Sequence, residues 1–184
     1  FVTVTLNDKG DGATQARSEK LFDAEKDPIF VQGEAVGDQY YFVTFQGNVK
    51  VVDLSGDTAK LADSWSLVTE ADKKDNWRPG GYQILAVHAP SKRLYVAMHD
   101  NGKEGSHKVP AKEIWAFDLA TKQRVERAPG SGAVAISLTK EAKPTLYTYA
   151  GEEMTVTRYD TQPALKPVAT SAQVGDTVGL IATH

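Results

Sequence analysis

Four histidines, at positions 88, 99, 107 and 184, are the side chains best suited to hold a metal or move a proton near neutral pH. A metal centre needs several such groups to converge with carboxylates, and the helical zinc motif sets two histidines four apart around a glutamate. No such spacing occurs here. His88 and His99 are expected on adjacent strands, close enough to approach each other, and His184 is terminal; all four read as ordinary strand and loop histidines. Glu152 and Glu153 are adjacent carboxylates at the tip of an expected hairpin, whereas an acid and base pair needs burial to separate its pKa values. Gly10-Asp11-Gly12 and Gly130-Ser131-Gly132 do not lead from a strand into a helix, as a phosphate cradle must, and read as turns. There is no G-x-S-x-G elbow, and the chain has no cysteine, which removes thiolate nucleophiles, zinc-thiolate sites and disulfides. No catalytic, cofactor-binding or metal-ligating residue is assigned to this chain.

Three tryptophans carry the remaining chemical interest. Trp115 stands mid-strand in a repeated unit and is expected in the core. Trp77 stands in a loop beside Arg78, and because Trp and Arg are enriched among binding hot spots, Trp77 and Arg78 are the candidate subunit interface. The plainer alternative is that Trp77 only anchors its own loop.

The 184 residues suffice for one domain, with 21 basic and 24 acidic side chains interspersed to a net charge of −3. That balance offers no field to attract a nucleic-acid backbone or an anionic membrane. No apolar run approaches the roughly 20 residues of a membrane-crossing helix, so no membrane span is expected. The opening run Phe1-Val2-Thr3-Val4-Thr5-Leu6 is strand-like and reads as a start inside a fold.

The elements that must position these residues are strands. Runs rich in Val, Ile, Thr, Tyr and Phe alternate with turn signals, the pattern of an all-β protein. Three copies of one unit end in Asp and a polar turn: Val49 to Asp53, Ile114 to Asp118 and Thr155 to Asp160. Asp suits that place because its carboxylate accepts backbone N–H groups two residues on. Asp118 and Asp160 are 42 residues apart, close to the roughly 40–50 of a four-stranded propeller blade. The 65-residue spacing from Asp53 to Asp118 includes two insertions, 62–81 and 100–112. Within the first, Thr69-Glu70-Ala71-Asp72 matches a capping box, so 67–81 reads as a helical or loop insertion. The expected fold is therefore all-β, half of a β-propeller of four-stranded antiparallel blades. Residues 1–28 end one blade; 29–66, 82–128 and 129–172 are three whole blades; and 173–184 gives one strand, at 177–183, to a ring-closing blade. Open blade edges are an aggregation hazard, so a further segment is expected to complete the ring and to pair with both end segments.

At Asn76-Trp77-Arg78-Pro79-Gly80-Gly81-Tyr82, Val87-His88 and Arg93-Leu94-Tyr95-Val96 the sequence resembles the heavy subunits of tryptophan tryptophylquinone amine dehydrogenases. Asp53 to Asp57, Leu67 to Ala71, Lys143 to Tyr147 and Gly175 to Thr183 follow in the family's order and spacing. The wording is nearer to the aromatic amine enzyme than to the methylamine one. The resemblance covers essentially the whole chain and corresponds to the family's C-terminal half. It implies a seven-bladed propeller in a periplasmic complex of two heavy and two light subunits. The light subunit would hold the quinone and the catalytic base, and electrons would leave to an azurin-like blue copper protein. The heavy subunit would be noncatalytic, and the N-terminal half of the same propeller would be a further partner. The competing readings are a self-contained propeller hydrolase, whose channel-lining strands 83–88 and 133–139 offer little beyond His88 that titrates, and a propeller used only for binding.

Overall fold

The structure, a computed structural model, describes residues 2–102, 106–175 and 182. The segment 177–183, expected as a ring-closing strand, lies outside the described residues except at Ala182, as does His184. A hairpin of β1 (Val2–Leu6) and β2 (Ala13–Ser18) comes first. A four-stranded antiparallel sheet follows, in the order β3 (Ile29–Val36), β4 (Gln39–Thr44), β5 (Asn48–Asp53), β6 (Lys60–Ser66). The helix α1 (Glu70–Lys74) and the short β7 (Arg78–Pro79) lead into β8 (Leu85–His88), β9 (Arg93–His99), β10 (Ala111–Asp118) and β11 (Arg124–Leu138). The chain continues through β12 (Thr145–Ala150), β13 (Thr155–Asp160) and β14 (Lys166–Thr170).

Strands that alternate two kinds of apolar residue bury both faces, as a blade between two neighbours must. On β4, Tyr41 and Val43 enter the main core, which draws residues from the four-stranded sheet and from β8 to β13, while Phe42 faces the other way against Val52, Leu21 and Phe22. Phe22 lies beyond β2, which ends at Ser18, and its ring packs 5.2 Å from that of Phe42.

β11 departs from expectation. It is one strand of 15 residues, paired with β10 through 124–129 and with β12 through 133–138. Gly130-Ser131-Gly132 is consequently a bulge within a strand and not a turn. The register with β10 jumps from Glu113↔Pro129 to Ala111↔Ala133 across it. A β-carbon on Gly130 would stand 2.8 Å from the Glu113 nitrogen, and Gly132 takes φ +70, so close approach and backbone freedom both call for glycine. The bulge lets one strand finish one four-stranded unit and open the next.

The three repeated aspartates occupy equivalent places. Each ends the third strand of its unit opposite the first residue of the second: Asp53 opposite Gln39, Asp118 opposite Arg93, Asp160 opposite Thr145. Asp53 accepts from the Ser55 nitrogen at 2.9 Å, and Asp118 from those of Ala120 and Thr121 at 2.9 Å each.

The first strands of successive units run parallel. Gln32 Oε1 on β3 accepts from the nitrogens of Ile84 and Leu85, both at 3.0 Å, its Nε2 donates to the Leu85 carbonyl at 2.9 Å, and Glu34 accepts from the Val87 nitrogen at 2.6 Å. Gln83 repeats the device, donating to the Ile136 carbonyl at 2.8 Å and forming a parallel bridge to Ala135. Side-chain amides thus supply hydrogen bonds where neighbouring sheets splay too far apart for a continuous ladder.

Candidate functional site: the tryptophan–arginine loop and the inner cleft

The loop bearing Trp77 and Arg78 is fixed from its helix onward. Thr69 caps α1 in a complete capping box: its hydroxyl accepts from the Asp72 nitrogen at 3.2 Å while the Asp72 carboxylate takes the Thr69 N–H at 2.8 Å. Asp72, buried within a five-residue helix, also accepts from Arg124 Nη1 at 2.9 Å. Burial pushes the Asp72 carboxyl up, but the bonds from Thr69 and Arg124 together outweigh it and hold the group below its ordinary value.

Trp77 is 7% exposed and lies against Trp115, which is fully buried, with ring centroids 5.1 Å apart. The guanidinium of Arg124 covers Trp115 at 4.0 Å, and that of Arg127 sits 4.8 Å from the Trp77 ring and 5.0 Å from that of Trp115. Arg127 grips Glu113 with two bonds of 2.6 and 2.9 Å, and the Trp115 indole donates to the same carboxylate at 2.6 Å. The hydrogen bond to Glu113 raises the Arg127 pKa against the opposing effect of its burial. The Arg124–Asp72 and Arg127–Glu113 pairs match the charges of this cluster and fix the position of both indole rings. Arg78 is exposed, on a strand pair with His99.

A second feature was not singled out by sequence reasoning. A cleft of about 250 Å³ opens beside the first strands of the three units, lined by Gln32, Glu34, Gln83, Ser137 and Lys140 among others. Burial pushes the Glu34 carboxyl up, against the Val87 N–H and the charge of Lys140, which pull it down. The signal was present in Gln32-Gly33-Glu34, polar residues alternating along an otherwise strand-like run. The amide of Gln32 and one oxygen of Glu34 bond the backbone of β8 and its approach, so these two lining residues clasp the first unit to the second.

The histidines scatter. His88 and His99 do lie on adjacent strands, but His88 pairs with Arg93 while His99 is at the far end of β9, beyond Leu85↔Val96, so the expected approach does not occur. His99 lies six residue steps along β9 from Arg93, on the order of 20 Å of strand. His88 is held by Ser91 at 2.7 Å and the Glu141 carbonyl at 2.9 Å, and His107 stacks on Phe45 with centroids 4.2 Å apart. Among the described residues no three His, Asp or Glu side chains gather to hold a metal ion. Glu152 and Glu153 are exposed in the turn between β12 and β13.

Repeated four-stranded antiparallel units, with parallel first strands and a core that runs across them, define part of a β-propeller whose described residues hold a packed aromatic–cation cluster. Solved structures agree on the fold: Kuenenia stuttgartiensis hydrazine synthase superposes with a TM-score of 0.54 at 15% identity, covering 78% of this chain and 35% of that one. Chaetomium thermophilum Raptor does so at 0.53 and 14%, covering 78% and 12%. The family model for the methylamine dehydrogenase heavy chain matches residues 2–184, and the chain belongs to that family. The heavy chain of Methylobacillus flagellatus is 31% identical over 140 residues, covering 74% of this chain and 35% of the relative. That of Paracoccus versutus is 26% identical over 181 residues, covering 96% and 42%. The chain therefore spans about two fifths of the length of these relatives.

Proposed function

We propose that this chain is part of the noncatalytic heavy subunit of a periplasmic quinoprotein amine dehydrogenase. The complex oxidatively deaminates primary amines, aromatic ones foremost, to aldehyde and ammonia. A light subunit carries the tryptophan tryptophylquinone and the catalytic base, and a blue copper protein takes the electrons. The assembly has two heavy and two light subunits, and the remaining strands of a seven-bladed ring come from the N-terminal part of the same propeller. The observation that carries this reading is the family match over residues 2–184. The ion pairs that brace the Trp77–Trp115 cluster and the bonds by which Gln32 and Glu34 join units across the inner cleft support a heavy subunit that lends surface and leaves the chemistry to its partner. On this reading the Trp77–Arg78 loop contributes to the subunit interface.

The native complex tests it. Mass spectrometry of every polypeptide should find a smaller, cysteine-rich chain with quinone absorbance. Amine-dependent reduction of an artificial acceptor should require that chain, and a preference for tyramine-like over methylamine-like substrates should set its class. Turnover by the heavy subunit alone would overturn the proposal.

A further inference from the structure

Parallel first strands place corresponding strand ends on the same side of the sheets, so the connections sort into two faces. On one face every link among the described strands is six residues or fewer: 37–38, 54–59, 89–92, 119–123, 139–144 and 161–165. The other face carries the long links, above all 67–84 with α1 and β7. Strand joining does not need that length, and loops that exceed need are where binding concentrates.

That long link presents two side chains suited to a partner. Tyr82 is 52% exposed, whereas the tyrosines Tyr41, Tyr95, Tyr149 and Tyr159 are buried. Its backbone is tightly held: its nitrogen donates to the Val134 carbonyl at 2.7 Å, and Gly81, at φ +119, passes so close that a β-carbon would stand 2.9 Å from that same oxygen. A β-carbon on Gly80 would collide with the His99 ring. Arg78 is exposed four residues earlier, paired to His99 on β9, and the neighbouring Trp77 is fastened beneath by Trp115 and Arg127. An immobilised backbone spares the entropy of ordering a loop on binding, and Tyr and Arg are the side chains enriched among hot-spot residues.

We infer that Arg78 and Tyr82 anchor the docking of the light, quinone-bearing chain on this long-loop face, with Trp77 as the buried support that positions them. This inference rests on the proposed function. The partner surface it requires has a carboxylate for Arg78 and an apolar recess edged by a hydrogen-bonding group for Tyr82.

The test uses the full heavy chain with its light chain. Arg78→Glu and Tyr82→Ala should each weaken heavy–light affinity about tenfold or more. Each should leave the melting temperature of the free heavy chain unchanged, and Lys143→Glu, on the short-turn face, should leave affinity unchanged. Hydrogen exchange on the unmodified complex should show 76–83 protected on assembly, which avoids dependence on any variant. A complex that forms with 76–83 unprotected and both variants neutral overturns this surface and spares the proposed function. Recovery of the native heavy chain without any quinone-bearing partner overturns both.

Discussion

Arg124 and Asp72 join the outer end of a blade to the inserted helix: the guanidinium spans from the Trp115 ring, at 4.0 Å, to the Asp72 carboxylate, at 2.9 Å. One carboxylate thereby closes a helix cap and ties that helix to a strand 52 residues away. A local signal and a tertiary contact share one carboxylate, the cap taking Oδ2 and Arg124 taking Oδ1.

Asp72→Ala removes both at once and leaves Arg124 without its ion-pair partner. The expected loss is about 2–3 kcal/mol of unfolding free energy, measured by urea denaturation, with Asp72→Asn intermediate. The Asp72 pKa is depressed in the fold, so its contribution is complete above the ordinary carboxylate value of 3.8 and is lost as pH falls through the lower folded value. The difference between wild type and Asp72→Asn should therefore shrink as the pH drops below that ordinary value. A constant difference would show that the charge is not involved.

Gln32 is the clasp between the first two units, and its removal strands the backbone nitrogens of Ile84 and Leu85, both buried residues. Gln32→Ala should cost about 2 kcal/mol and speed amide exchange at both positions. Unchanged exchange at Ile84 would contradict the clasp.

Glu34 has the opposite pH signature. Its folded pKa is raised, so its contribution is complete below the ordinary value of 4.5 and is lost as pH rises through the folded value. Glu34→Gln keeps an oxygen for the Val87 N–H without the charge, and it gives up the attraction to Lys140. The melting temperature of the variant relative to wild type should rise between pH 4 and pH 7, and a fall over that range would reverse the assignment.

Tyr149 is 1% exposed, and its hydroxyl finds no hydrogen-bond partner among the described residues. Burying an unpaired hydroxyl is unfavourable. Tyr149→Phe is expected to leave thermal stability equal or slightly higher, whereas a loss above about 1 kcal/mol would reveal a bond to that oxygen.

Much of this molecule was legible as local pattern. The all-β class, the equivalent places of Asp53, Asp118 and Asp160, the Thr69 capping box and the burial of Trp115 follow from strand periodicity, turn chemistry and capping, which act over a few residues. The relation to amine dehydrogenase heavy chains was likewise carried by the order of short motifs along the chain. Other features depend on neighbours far along the chain, 17 residues away or more, and no local pattern encodes those. Trp77 looks like a surface residue in its loop until Trp115 and Arg127 close over it, while Tyr82 is left in the open. Gly130-Ser131-Gly132 reads as a turn until β10 arrives close enough to make it a bulge. Gln32, Glu34 and Gln83 look like ordinary polar residues on strands until the splay between sheets leaves backbone groups that only their side chains reach. The sequence by itself determined which segments become strands; the tertiary structure decided whether a glycine-rich break turns or bulges and which polar and aromatic side chains are consumed in joining the sheets, because both depend on the distance between strands.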